Sequence, residues 1–396
     1  MNPDLAQLQP YPFQRLRTLL NGITPAADFT PINLSIGEPK HATPMLIRDA
    51  LMQHLDGLAS YPLTQGNEDL RNTIAHWLQQ RYGLTAINPQ TQVLPVSGTR
   101  EALFAFAQAV VDRTRDAVVI SPNPFYQIYE GAALLSGATP YYLNTLPSNG
   151  FRMDFASVPN DILRRTQLVF VCSPGNPTGK VMSLDDWREL FDLSKRYNFV
   201  IAADECYSEI YFDEAQPPLG ALQAAQQLGL HDYKNLVIFS SLSKRSNVPG
   251  MRSGFVAGDA QILEKFLLYR TYHGCALSPT VQSASQAAWE DEAHVIENRR
   301  LYRLKFSAFK NTLADVWPLQ MPDAAFYFWA QTLIDDTQFA LGLYRDYNVT
   351  VLPGSFLARA AHGVNPGTHF VRIALVASEA ECLEAAQRIK RYMQQL

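Results

Sequence analysis

Lys244 follows an apolar run and a serine-rich turn, Ser240-Ser241-Leu242-Ser243-Lys244. Pro249-Gly250-Met251-Arg252-Ser253-Gly254 comes directly after it. A lysine is seldom fully buried without a partner. Taken out of water at the end of a strand, its amine loses pKa and gains nucleophilicity. Arg252 is close enough in the chain to neutralise a phosphate beside it. A surface lysine in a polar loop would be the plainer use of the same residues.

Further groups of this kind are spread along the chain. Ser97-Gly98-Thr99-Arg100 opens a helical stretch, where free N–H groups and the Thr99 hydroxyl suit a phosphate as well as they suit a simple N-cap. Ser173-Pro174-Gly175-Asn176-Pro177-Thr178-Gly179 is a stiff turn that fixes Asn176, though Pro, Gly and Asn also serve turns for backbone reasons alone. Asp204-Glu205-Cys206-Tyr207 sets an acid at a strand end, where it can face a cationic ring nitrogen or cap a turn. Phe370-Val371-Arg372-Ile373-Ala374-Leu375 places a guanidinium inside an apolar strand, which requires a carboxylate from the protein or from a ligand.

The elements that must position these groups follow from periodicity. Short apolar runs at Ala117–Ser121, Leu168–Cys172, Phe199–Asp204, Leu236–Ser240 and Gly254–Ala257 are expected as strands. Helices are expected at Asn67–Arg81, Thr99–Asp112 and Ser183–Arg196. This alternation predicts an α/β fold with a mostly parallel sheet covered on both faces, whose ligands lie beyond the carboxyl ends of the strands. After Trp289 the pattern changes to a long helix, Asp291–Val316, short strands at Ala325–Ala330, Val349–Leu352 and His369–Leu375, and a last helix, Ser378–Met393. The expected division is an extended N-terminal arm, 1–45, a large domain, 46–288, and a small α+β domain, 289–396, against which the arm packs.

Composition excludes several classes. A net charge of −4 over 396 residues offers no concentrated basic face for nucleic acid. The four cysteines form no C-x-x-C pair and the eight histidines no metal-binding spacing, so no metal is expected and the thiols are expected free, as in a cytoplasmic protein. The opening MNPDLAQLQPYPF lacks the pattern of a signal peptide, and no run reaches the roughly 18 apolar residues that span a bilayer. There is no P-loop and no G-x-G-x-x-G, which argues against a nicotinamide cofactor.

In order, S-G-T, N-P-T-G, D-x-x-Y, S-x-S-K with P-G-x-R-x-G, and a late strand arginine resemble the fold-type I, class I/II aminotransferases that use pyridoxal 5′-phosphate (PLP). The match runs from Ile36-Gly37-Glu38-Pro39 to Arg372, and that fold implies a seven-stranded, mostly parallel sheet in the large domain. LSIGEPKHATP, PNPFYQIYEGA, SKRSNVPGMRSGF and RTYHGCALSP are similar to the succinyldiaminopimelate aminotransferases of bacterial lysine biosynthesis. The resemblance implies that Lys244 carries the cofactor as a Schiff base and moves the substrate proton. It implies that Asp204 pairs with the ring nitrogen, and that Tyr207 and Asn176 bond the phenolic oxygen. It further implies that Ser241, Arg252, Gly98 and Thr99 hold the phosphate, that Ser243 and Arg100 are further cofactor-binding residues, and that Phe125 or Tyr126, the latter preferred, stacks on the ring. Arg372, Asn176 and the Gly37 backbone would hold the substrate. Tyr61 would reach the phosphate of a second subunit, which implies a homodimer with shared sites.

The implied reaction is ping-pong transfer of an amino group to 2-oxoglutarate, with N-succinyl-LL-2,6-diaminopimelate as donor. Arg15, Arg17, Arg270 and His273 are the candidates for the donor's distal carboxylates. Aspartate or aromatic donors, β-elimination of thioethers and acyl-CoA condensation use related sites. A cofactor-sensing regulator would carry an added basic domain ahead of the fold.

Overall fold

The computed structural model describes residues 1–396. Seven strands form the large sheet: β1 (Val93–Val96), β2 (Val118–Asn123), β3 (Thr139–Asn144), β4 (Thr166–Cys172), β5 (Val200–Asp204), β6 (Leu236–Ser241) and β7 (Gly254–Gly258). Their order is β1-β7-β6-β5-β4-β2-β3. β7 runs antiparallel to β1 and β6, and every other pair is parallel. The central strands read as unbroken apolar runs because both faces are covered. Alternate residues enter different cores: Val169, Val171, Ile201, Ile238 on one face, Leu168, Phe170, Ala202, Val237, Phe239 on the other.

A second sheet, β8 (Tyr327–Gln331), β9 (Leu352–Pro353) and β10 (Phe370–Ala374), is antiparallel in the order β9-β10-β8. It has a core of its own, to which Ile32 and Leu34 from the N-terminal segment and Tyr207 and Ile210 from the turn after β5 contribute. Six helices bear on the site: α1 (Pro12–Leu20), α2 (Thr99–Val110), α3 (Leu242–Arg245), α4 (Ala260–His273), α5 (Ala293–Leu313) and α6 (Glu379–Met393). Gly98 caps α2 with φ +85°, a conformation that excludes other residues at little cost only for glycine. α6 opens with a capping box, Ser378 with Glu381, as its sequence suggests.

The structure departs from the sequence reading in places. The arm is not simply extended, because Leu16 buries against Leu352, Phe356 and Leu357 and makes α1 a packed helix. Val349–Leu352 is not one strand: Val349–Thr350 pairs with Ile32–Asn33, and Leu352 begins β9 in the other sheet. β1 and β3 are additional strands, both at the sheet's edges. No helix is long and apolar enough to cross a membrane, and all four cysteines are unpaired.

Candidate active site

The carboxyl ends of β4, β5 and β6 deliver Cys172, Asp204 and Ser241 to one cleft of about 520 Å³. The cleft lies where the two sheets meet, since Tyr327 of β8 and Arg372 of β10 close it from the other side. Tyr11, Pro12 and Phe13 at the start of α1, with Leu357, form an apolar mouth.

Lys244 stands in the last turn of α3 and points into this cleft. Its Nζ donates to Gly37 O at 2.5 Å. Burial brings its pKa down to about 8, and the nearby Arg372 charge adds to that depression. An amine so placed is partly unprotonated near neutrality and has no carboxylate within ion-pair reach. The turn that carries it is bound to α5: Asn298 Nδ2 donates to Lys244 O at 3.3 Å and Arg245 O at 3.4 Å. Arg245 pairs with Glu292 at 2.5 Å at the head of that helix.

Asp204 is buried, and burial raises its pKa. Tyr129 Oη donates to its Oδ2 at 2.7 Å and the Cys206 amide to its Oδ1 at 3.2 Å. No basic side chain forms an ion pair with it, and the charge that acts on it is the Lys244 amine in the same cleft. Tyr207 and Tyr327 share a hydrogen bond between their hydroxyls at 2.8 Å, and both are buried. Gly37 must be glycine, since a Cβ there would collide with the Tyr327 hydroxyl.

A set of donors gathers at the opposite end. Ser241 Oγ donates to Ser253 O at 3.1 Å and lies 2.9 Å from Ser243 Oγ, whose hydroxyl is free to donate to it. The Arg252 guanidinium lies against Gly98, where a Cβ would collide with it, at the amino end of α2. Thr99 Oγ1 is 3.0 Å from Cys206 Sγ. Arg100 Nε donates to Tyr126 Oη at 2.8 Å. Helix amides, two hydroxyls and an arginine make a site for a phosphate.

Arg372 is buried and has no carboxylate partner in the chain. Its Nη1 donates to Asn176 Oδ1 at 3.0 Å and its Nη2 to Ser35 O at 2.7 Å, while Nε has no partner. Its guanidinium carbon stands 4.5 Å from the Tyr327 ring centre. The internal salt bridge that a strand arginine usually requires is therefore absent, and the positive charge faces the cleft.

Gly37, Thr99, Arg100, Tyr126, Asn176, Asp204, Tyr207, Ser241, Ser243, Lys244, Arg252 and Arg372 all line this one cleft. Gly98 adjoins it through Arg252. Of the two stacking candidates, Tyr126 lines the cleft, whereas Phe125 is buried against Tyr142 and lies under Arg359. Tyr61 is fully exposed and lies outside this chain's cleft. Of the candidates for the donor's distal end, Arg270 is already occupied within the chain. Arg270 is fully buried and bonded to both Glu101 oxygens at 2.7 and 2.8 Å and to Cys275 O, and His273 stands against the same Glu101 at 3.4 Å. Neither lines the cleft. Arg15 rests on the Phe356 ring at 4.2 Å, near the mouth, and Arg17 is exposed on α1. Tyr129, Tyr327, Ser35 O and Glu38 are site residues that sequence reasoning did not single out. The spacing of Tyr126 and Tyr129, one helical turn apart, was the available signal for the first.

Residues 30–389 match the family model of class I and II aminotransferases. The chain belongs to this family. The aminotransferase is 52% identical to an aminotransferase from Neisseria meningitidis of known structure, with a TM-score of 0.96 and coverage of 99% of this chain and 100% of that one. It is 29% identical over 393 residues to the LL-diaminopimelate aminotransferase of Desulforudis audaxviator, covering 98% of this chain and 96% of that protein. It is 25% identical, with a TM-score of 0.81, to the structure of a probable N-succinyldiaminopimelate aminotransferase from Thermus thermophilus, covering 92% and 95%. Class I and II aminotransferases work with PLP on amino and keto acids, and the present residues fit that group: a nucleophilic amine, an unpaired buried acid and a phosphate cradle stand in one cleft.

Proposed function

We propose that this aminotransferase takes its amino group from N-succinyl-LL-2,6-diaminopimelate and gives it to 2-oxoglutarate. The observation that carries the reading is the charge of the cleft. Arg100, Lys244, Arg252 and Arg372 line it against only Glu38 and Asp204. With Asp204 committed to a ring nitrogen, Arg100 and Arg252 to a phosphate and Lys244 to the cofactor, Arg372 is the cation left for the α-carboxylate that donor and acceptor share. The succinylated donor is supported by the resemblance of LSIGEPKHATP, PNPFYQIYEGA, SKRSNVPGMRSGF and RTYHGCALSP to succinyldiaminopimelate aminotransferases. Bound PLP supplies an electron sink for the bond to the α-hydrogen.

The protein's own residues do the rest. Arg372 and Asn176 hold the α-carboxylate shared by donor and acceptor, which fixes the α-carbon above the Lys244 amine. With the cofactor bound, the Lys244 amine would be the base that takes the donor's α-proton and the acid that gives a proton to the acceptor's α-carbon; a pKa of about 8 suits both directions. Asp204 keeps the ring nitrogen protonated, and Tyr129 holds its carboxylate in line. Tyr207 and Asn176 bond the ring oxygen, Tyr126 covers the ring face, and Gly98, Thr99, Arg100, Ser241, Ser243 and Arg252 receive the phosphate. The apolar mouth of Tyr11, Phe13 and Leu357 excludes water around the reacting carbon.

A homodimer belongs to this reading. Met45, Met52, Leu55, Leu58, Tyr61 and Leu63 are exposed within one short stretch, a surface suited to a second copy, and Tyr61 would then reach that copy's phosphate. LL-diaminopimelate itself is a second reading, favoured by the name of the Desulforudis audaxviator relative. The two donors differ at the far end, where an ammonium is replaced by an uncharged amide bearing another carboxylate. Purified enzyme, 2-oxoglutarate and a panel of N-succinyl-LL-diaminopimelate, LL-diaminopimelate, aspartate and aromatic amino acids decide between them. Highest kcat/KM for the succinylated donor supports the proposal; preference for the free diamine replaces it with the second reading.

A further inference from the structure

Lys305 is 3% exposed and has no carboxylate within ion-pair distance. Its Nζ stands 2.6 Å from His41 Nε2 and 3.5 Å from Val376 O. His41 Nδ1 is 2.6 Å from Asn298 Oδ1. Asn298 Nδ2 faces only carbonyls, those of Lys244 and Arg245, and must donate to them. Asn298 Oδ1 is therefore the acceptor, and it also receives Asn247 Nδ2 at 3.2 Å. His41 Nδ1 consequently carries the hydrogen, which leaves Nε2 to accept from the Lys305 ammonium. The pair holds one positive charge between a half-buried imidazole and a buried amine.

The segment that bears His41 touches Lys244 twice. Gly37 O receives the Lys244 amine, and His41, through Asn298, supports the backbone carbonyl of the same lysine. Thr43 Oγ1 adds a bond to Asn247 O at 3.2 Å. The His41 ring also packs on Tyr302 at 4.7 Å.

We propose that His41 is a positioning residue for Lys244: neutral, it clamps the Gly37–Thr43 segment and α5 onto the Lys244 turn, and on taking up a proton it releases them. The groups facing it are Glu297, Asn298, Tyr302 and Lys305 on α5; Asn247 bonds Asn298 behind it, and Lys40 on its own segment with Glu379, Glu381 and Cys382 of α6 acts on Lys305. Burial, and then the Lys305 charge, hold His41 below its ordinary value of 6.5, against the opposing effects of Asn298 and Glu297. A proton on Nε2 would set two cations 2.6 Å apart and break the bond to Lys305. The Gly37 carbonyl and the Lys244 amine would lose their fixed separation.

The test uses the holoenzyme. In His41→Gln the amide can donate to Asn298 and accept from Lys305 but does not titrate. It should keep kcat within about twofold above neutrality and lose the acid limb that the wild-type shows below its imidazole range. His41→Phe keeps the ring on Tyr302 and loses both bonds. It should lower kcat about tenfold with donor KM nearly unchanged, and shift the absorbance titration of the bound cofactor, at unchanged cofactor content. Lys305→Met removes the neighbouring cation and should move the acid limb to higher pH. Wild-type kcat and an unmoved absorbance titration in His41→Phe would overturn the proposal, whatever happens to its melting temperature. So would an unaltered acid limb in His41→Gln. If His41→Phe does not fold, the Lys305→Met profile decides, and an unmoved limb there overturns it as well.

Discussion

Two arginines of this molecule are buried, and they teach opposite lessons. Arg270, at the end of α4, is fully buried and meets both oxygens of Glu101. Arg372, in β10, is 4% exposed and meets only an amide oxygen, a backbone carbonyl and an aromatic face. Both charges carry a desolvation penalty. In the first case the chain supplies the compensating anion, and the arginine is part of the frame. In the second the chain withholds it, and the compensating anion we propose is the carboxylate of the substrate. Burial alone does not mark a functional charge; burial without a counter-ion, at the wall of a cleft, does.

Removing each side chain breaks this contrast in a different observable. Arg372→Ala should lower kcat/KM by about 2–5 kcal/mol in both half-reactions, because donor and acceptor lose the same carboxylate contact. Steady-state and single-turnover kinetics with each substrate check this, and a loss confined to one half-reaction would separate the two clamps. Glu101→Ala should instead cost about 3 kcal/mol of stability in denaturant unfolding, since it strands Arg270, and leave kcat per folded molecule unchanged. An active-site defect in that variant would mean that the α4 arginine is not merely structural. A subtler comparison uses the ligand. At a hundred times its Kd, 2-oxoglutarate should stabilise the wild-type enzyme by about 2.7 kcal/mol. The protection should disappear in Arg372→Ala at the same concentration and persist in Glu101→Ala, as thermal shift would show. The smallest effect is on the amine beside Arg372. In the apoenzyme, labelling of Lys244 by an amine-reactive reagent should be half-maximal near pH 8, below the ordinary 10.5 of a lysine, because burial favours the neutral form. The same labelling curve in Arg372→Ala should lie at slightly higher pH, as one source of the depression is gone.

The functional centre was legible where a residue violated its surroundings. Arg372 in an apolar strand, Lys244 after one and Asp204 at the end of another are each a charge where the pattern calls for none, and each lines the cleft. The inner strands were legible for the converse reason, since burial on both faces leaves them purely apolar. β1 and β3 escaped because they are the sheet's edges: Pro95 and Pro140 interrupt them, and β3 is largely half-exposed, so their composition resembles loop. Helix α1 was obscured by the prolines before it. Ser35 O and Gly37 O act through backbone atoms that no residue type reveals. Arg270 misled because an arginine at the right distance along the chain says nothing of the Glu101 that faces it from α2. The Tyr129 bond to Asp204 and the His41 bonds to Asn298 and Lys305 join residues far apart in the chain, and only the folded geometry brings them together.

The central claim is that Lys244, and no other amine, bears the cofactor. Reduction of the holoenzyme with borohydride, followed by proteolysis and mass mapping, tests it directly. The account predicts that the pyridoxyl-phosphate mass appears on the peptide containing Lys244 and that Lys305, also buried but turned toward His41, stays unmodified. A label on any other lysine, or an unlabelled Lys244 in a preparation with full cofactor content, would contradict it.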